Sequence, residues 1–247
     1  MKKLIFAANW KMHKSPSESR SFVKEVRSTC PESVHAQIIL FPSSPCLEAV
    51  AESCKGSQIR YGSQNCHFEA QGAFTGEVSP RVVKELGAQV GLVGHSERRT
   101  LFGESNELIA QKVAALQKLE MTPMLCIGES LKQREENLTN DVLRDQLFEC
   151  LRLADLRLPL IVAYEPVWAI GTGKVATPAQ VADAHLECRK ILAQIGSEDA
   201  AQKIPVLYGG SVKADNAKEL GSLPNVDGFL IGGASLVVES FKAITAT

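Results

Sequence analysis

Eight short apolar runs, separated by segments of helical period, restrict the folds open to this chain more than any other feature. They lie at 4–8, 37–41, 59–62, 90–93, 124–127, 160–163, 206–208 and 229–231. Several are continuously apolar rather than alternating, the pattern of strands buried on both faces of a parallel sheet. The segments between them carry one apolar face each. Phe22, Val26 and Cys30 recur at i, i+4, i+8, and Leu143, Leu147, Cys150 and Leu151 at i, i+4, i+7, i+8. Val181, Ala184, Cys188, Ile191, Leu192 and Ile195 share a face behind Thr177-Pro178, which reads as a cap and first turn. No Pro/Ser-rich linker divides the chain. The expectation is one α/β domain over 1–247, a closed (β/α)8 barrel of eight parallel strands enclosed by helices. An open doubly wound sheet is the alternative, and the lack of a G-x-G-x-x-G after the first run counts against it.

Bulk properties exclude several classes. The formal net charge of −1 over 247 residues gives no general attraction for nucleic acid or an anionic membrane. A bound anion must therefore be held by local groups. The opening Met1-Lys2-Lys3 and the apolar residues after it imitate a signal peptide, but that run stops at Asn9, so a first strand is the better reading. No run approaches a membrane span. The seven cysteines are odd in number and show no C-x-x-C, as expected of reduced thiols in a cytoplasmic protein. The five histidines form no metal-binding pattern, so no metal is expected.

The active site of a parallel barrel is built where the C-terminal ends of its strands converge. That rim would carry Asn9 and Lys11 after strand 1, His95 and Glu97 after strand 4, and Glu165 after strand 6. Gly209-Gly210-Ser211 would follow strand 7 and Gly232-Gly233 strand 8. A carboxylate at a strand end, followed by Pro166 and a Gly-containing loop at 167–176, is how a general base and a mobile lid can be set side by side. Backbone N–H groups of the glycine turns can approach a phosphate closely, and a short helical turn from Ala234 would favour its charge. Each residue alone has a plain structural reading: a solvated lysine, a hydrogen-bonded histidine, a tight turn. Those readings weaken together, because separate strand ends place reactive groups on one rim. One further segment stands out. The loop between Gln64 and Ser79 contains Gly72, Phe74, Thr75 and Gly76, and an exposed Phe74 at its tip calls for a cover such as a second subunit.

Asn9-Trp10-Lys11-Met12, Gly94-His95-Ser96-Glu97-Arg98-Arg99, Ala163-Tyr164-Glu165-Pro166, Ala169-Ile170-Gly171-Thr172-Gly173, Tyr208-Gly209-Gly210-Ser211 and Leu230-Ile231-Gly232-Gly233-Ala234 occur in that order along the chain. Together they resemble the triosephosphate isomerase family, and the likeness covers essentially the whole sequence. The resemblance implies interconversion of dihydroxyacetone phosphate and glyceraldehyde 3-phosphate, a step of glycolysis and gluconeogenesis, with no cofactor. It implies Glu165 as base, His95 as neutral electrophile and Lys11 as electrostatic stabiliser. Asn9 and Glu97 would stand beside them, Glu97 in a less defined role. Gly171, Ser211, Gly232 and Gly233 would hold the phosphate. It also implies a homodimer through the loop 65–79, in which Thr75 reaches the partner's pocket, with Phe74, Glu77 and Arg98 at the same contact. Either Glu77 or Glu104 would pair with Arg98. Asn137 stands where family members often carry glycine, and asparagine tolerates the left-handed conformation.

Two other functions fit a phosphate-binding barrel. A lyase or aldolase of the Schiff-base type would need a desolvated lysine and would leave Glu165 without a task. A non-catalytic binding protein on the same fold would be expected to lose its reactive set, yet Lys11, His95 and Glu165 are all present.

Overall fold

A computed structural model describes residues 3–30 and 36–246. Met1 and Lys2, which open the leader-like N-terminus, lie outside the described residues, as do residues 31–35 and Thr247. The strands are β1 (Leu4–Asn9), β2 (Ala36–Phe41), β3 (Arg60–Ser63), β4 (Val90–Val93), β5 (Thr122–Ile127), β6 (Ile161–Tyr164), β7 (Val206–Tyr208) and β8 (Gly228–Ile231). Each pairs in parallel with its sequence neighbour. β8 returns to β1, with Ile5 opposite Gly228 and Ala8 opposite Ile231, and the sheet closes into a barrel. The eight expected runs are these eight strands. Some ends differ because polar residues continue the pairing, as Asn9 does opposite Phe41 and Thr122 opposite Val90.

The two-residue period of a strand sorts its side chains into two cores. Ile5, Ala7, Ile39, Phe41, Val90, Leu92, Met124, Cys126, Ile161, Ala163, Leu207 and Leu230 fill the barrel interior. Their neighbours, Phe6, Ala8, Leu40, Val93, Leu125, Val162, Tyr164, Phe229 and Ile231 among them, face outward and join the apolar faces of the helices. In the helix Pro16–Thr29 the buried positions include Phe22 and Val26, in Thr139–Leu151 Leu143, Leu147, Cys150 and Leu151, and in Pro178–Ile195 Val181, Ala184, Cys188, Ile191 and Leu192. These are the faces the periodicity marks. Asn137 takes φ 58°, in the left-handed region, between the helices Leu131–Glu135 and Thr139–Leu151. Among the described residues all seven cysteines are free, and no helix is long and apolar enough to cross a membrane.

Candidate active site

The inward series continues past the strand ends. Two residues beyond Ala7 stands Asn9, beyond Ala163 Glu165, beyond Leu207 Gly209, and beyond Leu230 Gly232. The alternation that fills the barrel therefore also delivers these four positions to its mouth. They surround a cavity of about 240 Å³ whose lining also includes Lys11, His95, Gly171, Ser211 and Gly233. All the residues expected to catalyse or to hold phosphate meet here except Glu97, which stands behind Lys11.

Glu165 is buried, at 2% exposure, and its carboxylate is fully occupied. Oε2 accepts the Ser96 N–H at 3.0 Å and Oε1 lies 3.1 Å from His95 Nε2. Burial opposes its charge, but His95, the Ser96 N–H and Lys11 outweigh that and hold the carboxyl below its usual range. Burial likewise opposes charge on His95, and Glu165 outweighs it, holding the imidazole above its usual value. At the far side of the ring, the Glu97 N–H donates to Nδ1 at 3.2 Å. Nδ1 is thereby an acceptor. A second proton on the ring would oppose that N–H donor, so above the raised pKa the hydrogen-bond network assigns His95 as the neutral tautomer with its proton on Nε2. This follows from chain position: His95 caps the helix Ser96–Leu101, whose first N–H groups have no partner within the helix.

Lys11 Nζ lies 2.5 Å from Glu97 Oε1. Its backbone has φ 50°, a conformation that costs an ordinary L-residue about 1–2 kcal/mol. Two contacts hold it there, the second through a side chain anchored on β2. The Lys11 N–H donates to Asn9 Oδ1 at 3.1 Å, and Gln64 Nε2 donates to both Lys11 O and Phe41 O at 2.8 Å. Gln64 was not singled out from sequence as a site residue. The only available signal was its place at the end of the third run.

The glycines divide into two kinds. A Cβ on Gly209 would stand 2.9 Å from Glu165 Cγ, and one on Gly128 would stand 1.7 Å from Glu165 O. Those two make room for the base. A Cβ on Gly232 would meet only Lys11 Cε, at 3.6 Å, and one on Gly233 would meet nothing within 4 Å. The protein's own packing does not require glycine at 232 or 233. Their bare backbone faces open space at the start of the short turn Gly233–Ser235, where an anion can approach N–H groups.

The segment expected to act as a lid starts at the single turn Val167–Ala169 and ends at the helix cap Thr177. Trp168 Nε1 donates to Glu129 Oε1 at 2.9 Å, and Tyr164 OH lies 3.1 Å from both Glu129 oxygens. Arg134 Nη1 approaches the same carboxylate at 3.5 Å. Glu129, completely buried, therefore anchors the first hinge, and sequence reading missed it. At the other end, Thr177 and Gln180 bond each other's backbone N–H groups, a capping box that fixes the second hinge. Between the hinges, Gly171 and Gly173 have φ 67° and 80°, and residues 171–175 are exposed. Glycine is needed there by the backbone.

The long loop after β3 is ordered by its own bonds: His67 N–H to Val78 O at 2.8 Å, Glu77 N–H to Phe74 O at 3.0 Å, and Ser79 Oγ to Ala70 O at 2.5 Å. Phe74 is not bare at the tip. Its ring packs on His67, with centroids 3.9 Å apart, although 42% of the residue stays exposed. Thr75 is exposed and is not among the residues lining its own chain's cavity. Arg98 pairs with Glu104, at 3.4 Å, and not with Glu77, because Glu104 sits buried beneath it with the ammonium of Lys112. A groove of about 450 Å³ runs beside this loop, lined by Met12, Gly76, Glu77, Arg98 and Phe102, and its inner wall is Asn9, Lys11 and His95. No cluster of His, Cys, Asp or Glu able to hold a metal occurs among the described residues.

Residues 4–247 match the family model described as triosephosphate isomerase. A protein named triosephosphate isomerase from Bdellovibrio bacteriovorus is 54% identical over 244 residues, covering 99% of each chain. One of the same name from Carboxydothermus hydrogenoformans is 44% identical, covering 99% of this chain and 98% of that one. Another, from Chlamydia muridarum, is 46% identical over 96% of this chain and 88% of its own.

Proposed function

This chain belongs to the triosephosphate isomerase family and interconverts dihydroxyacetone phosphate and glyceraldehyde 3-phosphate, a glycolytic step; from that premise we propose how its residues share the work. The observation that carries the reading is the meeting of Glu165, His95 and Lys11 around one cavity whose far side is bare glycine backbone. Glu165 removes a proton from the carbon beside the carbonyl and returns it to the neighbouring carbon. Its oxygens are held by the Ser96 N–H and by His95, which makes it a weak base in this arrangement. Substrate must draw the carboxylate off the Ser96 N–H, and the loss of that bond and of water raises its basicity.

The enediolate oxygens are met by His95 Nε2–H and Lys11 Nζ, fixed donors of a kind commonly worth about 10²–10³ in rate once water is excluded. Asn9 and Glu97 position Lys11. The phosphate rests on Ser211 and the N–H groups of Gly171, Gly232 and Gly233. Closure of 167–176 brings Gly171 in and keeps the intermediate from losing its phosphate. A Schiff-base lyase would need an unencumbered amine, whereas the Lys11 ammonium is taken up by Glu97.

The working form on this reading is a cytoplasmic homodimer of single-domain barrels needing no cofactor or metal. The apolar groove wall supports it: Met12 and Phe102 are 93% and 69% exposed, and the groove leads to Asn9, Lys11 and His95. Thr75 of one subunit would enter the groove of the other. The decisive measurement is glyceraldehyde 3-phosphate turnover in a coupled assay, with Glu165→Gln purified in parallel. Conversion by the parent and its collapse in the variant are expected. An active Glu165→Gln protein would remove Glu165 from the role of base.

A further inference from the structure

The charge inside the pocket does not yet suit its substrate. A phosphate monoester carries about −1.5 to −2 at neutral pH. Of the ionisable side chains in and beside the cavity, Lys11 and Glu97 offset each other at 2.5 Å, and Glu165 adds one negative charge. Those groups alone would repel the anion that the glycine turns are shaped to receive. Neutral amides can grip a phosphate at close range, but they do little to draw it in.

Apart from His95, which is neutral above its raised pKa, the remaining ionisable residue in the lining is Lys213. It follows Ser211-Val212 directly and caps the helix Ala214–Ser222, with its backbone N–H bonded to Asn216 Oδ1 at 2.8 Å. The backbone at this end of the cavity is thus fixed. The Lys213 side chain is exposed and forms no ion pair among the described residues. Every other lysine or arginine lining this cavity or the adjoining groove, namely Lys11 and Arg98, already has a carboxylate partner.

We infer that Lys213, two residues after Ser211 in the cavity lining, is a specificity-determining residue for the phosphorylated substrate: its ammonium, which has no carboxylate partner among the described residues, compensates the charge of Glu165 and captures the dianion before the lid closes. This rests on the isomerase reading of the pocket. On this reading the ammonium takes no part in the proton transfer, and its charge does not change during it. It therefore acts on ground state and transition state alike, which lowers KM and leaves kcat in place. The interaction is with an exposed charge, so added salt weakens it.

The test compares the parent with Lys213→Gln and Lys213→Arg. Inorganic phosphate is the probe, its dissociation constant read by calorimetry at low and at physiological ionic strength. Phosphate affinity and kcat/KM for glyceraldehyde 3-phosphate should both fall about three- to tenfold in Lys213→Gln at low salt. The kcat should stay within about twofold, the salt dependence should flatten, and Lys213→Arg should restore all three. Turnover of unphosphorylated glyceraldehyde should not respond to either change. Unaltered phosphate affinity in Lys213→Gln would overturn the assignment. Equal losses in Gln and Arg would do the same, because they would show that charge is not the cause. A parent that binds phosphate but does not isomerise would instead overturn the isomerase reading, so the two failures are distinguishable.

Discussion

At the N-terminal mouth of the barrel, the buried Arg189 donates to Ala201 O, Ile204 O and Asp227 Oδ2, and Asp227 Oδ2 also accepts the Val206 N–H at 2.8 Å. Asp227 O takes the Ile5 N–H at 3.0 Å and its own N–H goes to Val206 O, so one residue ties β1, β7 and the approach to β8 together. Even the outer polar groups there are matched locally, Arg60 with Thr122 and Lys203 with Asp199. The C-terminal mouth is arranged differently. Lys11 is held in a left-handed conformation, Glu165 is buried beside a second titratable group, and Gly232 and Gly233 leave backbone facing empty space. One mouth pairs most of its polar groups with each other, Arg189 Nε excepted, and closes the barrel. The other holds them in reserve for a ligand, at a cost in stability.

The contrast can be broken at either end. The largest effect is expected from Arg189→Met, which leaves the Asp227 carboxylate without its cation and takes the guanidinium donor from two carbonyls. Breaking such a buried pair costs about 3–5 kcal/mol, visible as a lower denaturation midpoint, while kcat per folded molecule should not change. A large fall in kcat would show that the lower mouth is not purely structural. Glu165→Asp should do the reverse. Withdrawing the carboxylate by a methylene should cost about 10²-fold in kcat and change stability by less than about 1 kcal/mol. Trp168→Phe is expected to be intermediate. It removes one donor from Glu129, which keeps Tyr164 and Arg134, and loosens the hinge. A loss of about tenfold in kcat/KM is expected, and an unchanged value would mean that the hinge bond does not set lid position.

The smallest effect is in the pH dependence of stability. His95 has a raised pKa in the fold, so its contribution is complete below its unfolded value, about 6.5, and fades as pH rises through the folded one. Glu165 is lowered, so its contribution is present above about 4.3 and is lost as pH falls through its folded value. The pair therefore stabilises most between those pH values. Thermal unfolding of the parent and His95→Gln at pH 5 to 8 should show the parent's advantage shrinking as pH rises. A constant difference would mean that the two groups are not coupled.

Much of the site was legible in the sequence because a strand's alternation is local. Counting by two from Ala163 reaches Glu165, and from Ala7 reaches Asn9, so the inward face could be followed to the rim. Where reading stopped, the cause was distance along the chain. Glu129 lies 35 residues before Tyr164 and 39 before Trp168, and nothing local in its sequence marks it as their shared acceptor. The choice of Glu104 over Glu77 for Arg98 depended on which carboxylate is buried beneath the guanidinium. Gly209 read as part of a phosphate turn, but packing shows that it also clears space for Glu165.

The sequence by itself determined the eight strands, their parallel closure, the helical faces and the identity of the groups at the rim, because hydrophobic period and turn chemistry act over a few residues. Tertiary structure alone decided which distant partners those groups have: Lys11 on Glu97 across 86 positions, Glu165 on the Ser96 N–H across 69, and His95 Nε2 on Glu165. Those contacts depend on where barrel closure places one strand end relative to another, which no local pattern encodes.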